Sequence, residues 1–138
     1  MRFFFLLLVM WSTSTAASVD VVALTILGES RSEGQLGMLA VANVIVVRGI
    51  EKGLPASQAP RVCLEPKQFS YWNKPYSIDT KTAEAAYAYE LASKILQGIP
   101  IKNVTDFANH YHSKSCRPSW ANSRKVTRVI GNHIFYRL

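Results

Sequence analysis

The sequence has few acidic residues, few cysteines and no long apolar run, and each shortage excludes function classes. Among 138 residues, 9 Asp and Glu face 16 Lys and Arg, a formal charge of +7. This balance indicates an acidic partner: nucleic acid, anionic lipid or an anionic polymer. Two cysteines are too few for a disulfide-knotted miniprotein or a four-cysteine zinc site. Seven glycines and six prolines exclude a low-complexity chain, and 49% hydrophobic residues supply the core of one domain.

Residues 1–17 have the three parts of a secretory signal peptide. Arg2 precedes the apolar run 3–11, and the small residues 12–17 follow it. This run is shorter than the roughly 20 residues that span a bilayer. We expect cleavage after Ala17, with cleavage after Ala16 as the alternative, a mature domain over residues 18–138 without stable membrane insertion, and a secreted, periplasmic or cell-wall location. A buried N-terminal helix and a retained anchor are the alternatives.

The two cysteines allow two interpretations. Export would bring Cys63 and Cys116 into an oxidising compartment, where they can pair. Two unpaired thiols are the alternative, because spacing alone does not fix disulfide geometry. A cysteine nucleophile is not expected, since neither residue has an activating base beside it.

Two apolar segments predict the first helices. Residues 19–27 form one, and the second runs from a cap at Ser32 to about residue 47. The second has apolar residues on two faces, which is typical of a central helix. Asn43 lies within it and needs a hydrogen-bond partner if buried.

A third helix is predicted further along the chain. Four prolines mark residues 49–76 as irregular, with a short helical turn over 57–62. The helix then begins at a cap, Asp79 or Thr80, and ends at Gln97.

The last residues predict a β-hairpin. Residues 125–130 and 133–137 alternate in part around Gly131 and Asn132, which favours a two-residue turn of type II′. The fold class is therefore α+β: one compact domain with helices first and a small antiparallel sheet last.

Glu29 is the best candidate for acid–base chemistry. It follows Gly28 at the end of an apolar helix, where partial burial favours the protonated carboxyl that general acid catalysis needs. Glu33 lies four residues on, but a helix start between them leaves their relative geometry open. For Glu33, a solvated or capping carboxylate is the simplest interpretation.

The histidines suggest a metal site only weakly. His110 and His112 would share one face of a strand, and Asp106 or His133 would be the third ligand of a zinc amidase. There is no His-Glu-x-x-His helix, so a structural or substrate-contacting role is favoured. No metal and no other cofactor is expected.

Aromatic and polar residues interleave over residues 68–73 and around Tyr111 and Trp120. Such surfaces can stack on sugar rings or nucleic-acid bases. A basic binding module without catalysis is therefore a competing class, and for Phe69 an ordinary core position is favoured.

Four blocks, in order along the chain, resemble the SleB/CwlJ-type cell wall hydrolases, the spore-cortex-lytic enzyme family. They are residues 23–45, with Gly-Glu-Ser-Arg-Ser-Glu at 28–33; Gln-Phe-Ser at 68–70 with Trp72; Asn-His-Tyr-His at 109–112 with Pro118 and Trp120; and Ile-Gly-Asn-His-Ile-Phe-Tyr at 130–136. The family's usual Gly-Glu-Ala-Arg-Gly-Glu keeps both carboxylates and the arginine here, while two small residues become Ser.

The resemblance implies a lysozyme-like α+β domain that acts on peptidoglycan glycan strands, with its motif glutamate at Glu29. It implies a lytic transglycosylase, in which one carboxyl protonates the glycosidic oxygen and then takes the proton of the C6 hydroxyl. A muramidase that uses water is the alternative. As substrate-binding residues we expect Glu33, Gln68, Phe69, Trp72, His110, Tyr111 and Trp120.

The positive charge then becomes an attraction to an anionic wall. No acid follows Asp106, whereas six basic residues do: Lys114, Arg117, Arg124, Lys125, Arg128 and Arg137. We expect a monomer that finds its substrate at the cell wall and has no nucleic-acid partner.

Overall fold

The computed structural model describes residues 15–30 and 33–138, which form five α-helices and a three-stranded sheet. The elements are α1 (Thr15–Ser30), α2 (Gly34–Glu51), a 3-10 turn (Ala56–Gln58), α3 (Ala59–Leu64), α4 (Ser70–Asn73), α5 (Ala83–Leu96), β1 (His110–Ser113), a second 3-10 turn (Ser123–Lys125), β2 (Val126–Ile130) and β3 (His133–Tyr136). The predicted α+β class is confirmed, and β1 adds a third strand to the predicted hairpin.

Helix α2 is the central helix, as its two apolar faces predicted. Residues 37–45 are all buried, although Leu36 at its start is 53% exposed. Asn43 has the partners that burial requires: its Nδ2 donates to the carbonyl of Lys102 at 2.8 Å, and its Oδ1 accepts from the N–H of Val104 at 2.7 Å. By length and hydropathy alone α2 could span a membrane, but half of it is buried inside the domain.

Helices α1 and α5 pack against each other and against α2. The buried face of α5 consists of Ala85, Ala88, Leu91, Ala92 and Ile95. The predicted caps Asp79 and Thr80 are wrong, because α5 begins later: the side chain of Thr82 accepts from the N–H of Ala85 at 3.1 Å.

The sheet has the strand order β1-β3-β2, and both pairs are antiparallel. Ile130 pairs with His133, so the hairpin has the predicted two-residue loop, and Gly131 has the positive φ of +55° that such a turn needs. Ile130 and Phe135 pack with Ala40 and Val44 of α2. This contact fixes the hairpin against the middle of α2.

The segment from residue 49 to residue 76 is more helical than predicted. The expected turn over 57–62 is present as the first 3-10 turn and α3, and α4 is an additional short helix. Cys63 lies within α3 and is fully buried, whereas Cys116 follows β1 and is exposed. Both thiols are free. Cys63 and Cys116 therefore do not form a disulfide in this structure.

Two predictions concern residues outside the described part. Residues 1–14 of the expected signal peptide (residues 1–17) are outside the described part. The expected helix cap Ser32 is outside it as well. Glu33 occupies the N-cap position of α2 without a side-chain cap bond.

Candidate functional site

A cleft of about 630 Å³ opens where the end of α1, the start of α2, α4, β1 and the β2–β3 turn meet. Five of the predicted site residues line it: Glu29, Glu33, Gln68, Tyr111 and Trp120. They come from separate parts of the sequence, so the fold assembles this site from distant segments.

Glu29 is 8% exposed and accepts four hydrogen bonds from the residues that the structure describes. Its Oε1 accepts from the hydroxyl of Tyr111 at 2.7 Å and from the N–H of Ser70 at 3.2 Å. Its Oε2 accepts from the hydroxyl of Ser70 at 2.9 Å and from the N–H of Tyr71 at 3.0 Å. Two segments, the start of α4 and strand β1, therefore hold the carboxylate.

The local sequence explains these donors. The first N–H groups of any helix have no intrahelical acceptor, and α4 turns those of Ser70 and Tyr71 toward Glu29. Gly28 makes room for this approach, because a Cβ at that position would lie 2.5 Å from Cγ of Tyr71. The Gly-Glu pair is thus a requirement of packing as well as of chemistry.

Two of the four donors are hydroxyls, which can reverse and accept a hydrogen bond. The site can therefore hold Glu29 in either protonation state without losing all its partners. Burial raises the pKa of Tyr111 well above its usual value, and the charge and hydrogen bond of Glu29 raise it further. Tyr111 consequently keeps its proton at neutral pH and remains able to donate.

Glu33 holds the hairpin turn to the start of α2. Its Oε1 accepts from the N–H of Asn132 at 2.8 Å, and its Oε2 lies 2.7 Å from Nδ1 of His133. Gly37 and Gly131 leave space for this side chain, since a Cβ on either would come within 3.1 Å of Glu33 atoms. The simple capping or solvated role expected for Glu33 is therefore wrong: its side chain is 12% exposed and buried in this pair.

Trp120 also lines the cleft and packs edge-on against three rings. The centroid distances are 5.0 Å to His110, 5.7 Å to His112 and 5.3 Å to Tyr136. His112 is buried, with Nε2 2.7 Å from the hydroxyl of Tyr136. The strand histidines thus support Trp120, and His110 is not among the residues that line the cleft.

Two expected sugar contacts are placed elsewhere. Phe69 is 1% exposed and belongs to the core. The guanidinium carbon of Arg48 lies over its ring, 4.8 Å from the ring centroid. Trp72 packs on the same core, and its Nε1 donates to the hydroxyl of Thr25 at 2.8 Å. The predicted sugar contact is therefore wrong for Phe69, which is a core residue; Trp72 is partly buried and does not line this cleft, and its contact with substrate stays a prediction.

The described residues contain no group of three or more His, Cys, Asp or Glu side chains placed to hold a metal ion. His133 pairs with Glu33, while His112 bonds Tyr136 and the carbonyl of Ser113. The triad of the zinc alternative is thus not assembled in this part of the chain.

Arg48 and Ser70 are two residues of the site that were not predicted from the sequence. Arg48 is 9% exposed, and its Nε and Nη1 donate to the carbonyls of Asn109 and Gln68. Burial lowers the pKa of Arg48, while attraction to Tyr111 and Glu29 opposes that shift. An arginine within an otherwise apolar helix was the available signal.

Comparison with known proteins identifies the family. Residues 32–136 match the family model described as Cell Wall Hydrolase, and the chain belongs to this family. The matched range includes Glu33 and the hairpin but starts after Glu29. The interest in Glu29 therefore depends on the geometry of the cleft and not on this match.

Two solved structures share the fold. The catalytic domain of the SleB protein from Bacillus cereus is 25% identical, with 89% of this chain and 91% of that chain covered and a TM-score of 0.67. The catalytic domain of the germination-specific lytic transglycosylase SleB from Bacillus anthracis is also 25% identical, with coverages of 91% and 98% and a TM-score of 0.69. No curated protein matches the chain by sequence.

Proposed function

We propose that the chain is an exported peptidoglycan-degrading enzyme, a lytic transglycosylase that cleaves the MurNAc–GlcNAc bond with Glu29 as general acid and then base. The observation that carries the proposal is the carboxylate of Glu29, which lines an open cleft and is held by four donors from two segments. The similarity to a Bacillus anthracis lytic transglycosylase supports the same chemistry.

The reaction needs one carboxyl and no water. Protonated Glu29 gives its proton to the glycosidic oxygen as the bond from that oxygen to C1 of the muramic sugar breaks. The C6 hydroxyl oxygen of the same sugar then bonds to C1, and its proton passes to the Glu29 carboxylate. The product is a 1,6-anhydro end, and the acid is regenerated.

Other cleft residues have supporting roles in this proposal. Tyr111 and Ser70 orient the carboxylate and adjust to its protonation state. Gln68 and Trp120 line the cleft and contact the sugars. Glu33 already accepts from Asn132 and pairs with His133, which supports a reaction with one carboxyl over a hydrolase with two.

Replacement of Glu29 by Gln tests the assignment. The amide has one acceptor oxygen, so in either orientation one N–H, that of Ser70 or Tyr71, loses its acceptor, at a cost of about 1–3 kcal/mol. We expect a folded, less stable protein with no lytic activity on purified peptidoglycan. Glu90→Gln, which alters only an exposed ion pair with Lys94, is the matched control and should keep activity. A folded Glu29→Gln variant that cleaves at the parental rate would refute the proposal.

Mass spectrometry of the digested strands distinguishes the two chemistries. Anhydro ends are lighter by one water than the reducing ends that a muramidase leaves. Reducing ends alone would establish the muramidase, and absence of cleavage by the parental protein would establish a wall-binding module.

Export and wall attraction belong to the same proposal. Residues 1–17 act as the signal peptide, and the mature domain, residues 18–138, works as a monomer at the wall. The six basic residues after Asp106 are all exposed, and Arg128 also pairs with Asp106. N-terminal sequencing of secreted protein should give Ser18, and wall binding should weaken with salt.

A further inference from the structure

Arg48 joins two separate segments of the chain at the wall of the cleft. It lies in the last turn of α2, where Nε donates to the carbonyl of Asn109 at 2.8 Å and Nη1 to the carbonyl of Gln68 at 3.1 Å. Its guanidinium lies over the buried ring of Phe69. These contacts leave the group few ways to move.

The two carbonyls, of Gln68 and Asn109, lie shortly before the groups that hold Glu29. Gln68 is two residues before Ser70, and Asn109 is two residues before Tyr111. Ser70, Tyr71 and Tyr111 supply all four hydrogen bonds that the Glu29 carboxylate accepts. We infer that Arg48 is a positioning residue of this active site, which fixes the start of α4 relative to β1 and thereby the orientation of the Glu29 carboxyl. This inference rests on the proposed function of Glu29.

The charge of Arg48 also helps to hold its guanidinium in place. Burial lowers its pKa, and the attraction of Tyr111, Glu29, Glu51 and Glu65 raises it, in that order. This attraction draws the guanidinium toward Glu29 and adds to the hydrogen bonds that fix its place.

A lysine cannot replace this arginine. The planar guanidinium directs separate N–H groups at two carbonyls in fixed directions, whereas an ammonium is a single flexible point. Arg48→Lys therefore keeps the charge and loses the link between Gln68 and Asn109. A shift of the carboxyl by about 1 Å can reduce turnover by about 100-fold.

The experiment measures kcat and KM on soluble glycan strands for the parental protein, Arg48→Lys and the control Arg61→Lys, an exposed arginine of α3. Assays are run well below each variant's melting temperature, so that unfolded protein does not contribute. We expect kcat of Arg48→Lys to fall about 10- to 100-fold with KM nearly unchanged, and Arg61→Lys to match the parent.

A second variant covers the case in which Arg48→Lys does not fold. Because Arg48 lines the cleft, ethylguanidinium can reach its position in Arg48→Ala. We expect the added cation to restore kcat, while ethylammonium at the same concentration does not.

Each outcome is decisive. A parental kcat in folded Arg48→Lys, a rise in KM with kcat unchanged, or equal rescue by both cations would overturn the positioning role. These results leave the proposed function standing as long as Glu29→Gln is inactive. If folded Glu29→Gln is active instead, the proposed function itself fails.

Discussion

Gly28→Ala should weaken both the fold and the cleft, although the same change in most helices is stabilising. The added Cβ would lie 2.5 Å from Cγ and 2.9 Å from Cβ of Tyr71, well inside ordinary contact. Tyr71 is buried and cannot swing away freely, since its hydroxyl donates to the carbonyl of Tyr76 at 2.9 Å. Its own N–H is one of the donors to Glu29.

Gly49→Ala is the matched control because Gly49 also lies in a helix, and its Cβ would meet only Cγ2 of Val62 at 3.7 Å. Replacing glycine by alanine in a helix interior stabilises by about 0.5–1 kcal/mol. Overpacking a buried site costs about 1–3 kcal/mol. The propensity gain is common to both variants, so Gly28→Ala should be less stable than Gly49→Ala by about 1–3 kcal/mol.

Urea unfolding and strand cleavage together check this prediction. Gly49→Ala should be at least as stable as the parent and equally active. Gly28→Ala should show a lower unfolding midpoint and a lower kcat per folded molecule, because the Tyr71 donor is displaced. If Gly28→Ala equals Gly49→Ala in stability, the close packing of Tyr71 on Gly28 does not constrain the site and the reasoning is refuted.

Two further predictions concern Glu33 and Cys63. Glu33→Ala removes both carboxylate oxygens, so the N–H of Asn132 loses its acceptor and His133 loses its partner; we expect a loss of about 1–3 kcal/mol in urea unfolding and a smaller loss of activity than for Glu29→Gln, and unchanged stability would contradict the anchoring of the hairpin. Burial raises the pKa of Cys63 from 9.0 to about 12, so the folded chain retains a proton that the unfolded chain releases. The contribution of the protonated Cys63 to the free energy of unfolding is complete below pH 9. It falls as the pH rises from 9 toward 12, by up to about 1.4 kcal/mol per pH unit. Cys63→Ala should flatten this alkaline slope of the unfolding free energy, and an identical slope would contradict the assignment.

The sequence predicted the elements whose signals are local. The two apolar faces of α2 span many residues and allow only a central helix, and Gly131–Asn132 specifies a two-residue turn by backbone conformation alone. The burial of Glu29 was also predicted, because its carboxyl follows Gly28 at the end of an apolar helix.

The missed features depend on tertiary contacts. Helix α4 has four residues, too few for any period, yet its free N–H groups bind Glu29. Arg48 stands out in an otherwise apolar helix, but its two acceptors, the carbonyls of Gln68 and Asn109, come from distant segments and cannot be identified from the sequence. Phe69 and Trp72 show that an aromatic–polar pattern does not distinguish rings of the core from rings that face a cleft.

The wide sequence separation of the cleft residues has a consequence for when cutting can begin. Tyr111 lies 82 residues after Glu29, and His133 lies 100 residues after Glu33. A chain that emerges from its N-terminus first therefore presents the acid long before the strand and turn that complete its surroundings. A chain in which β1 and the β2–β3 turn have not yet folded lacks Tyr111 beside Glu29 and His133 beside Glu33. We therefore expect the cleft to be complete only after these late segments have folded.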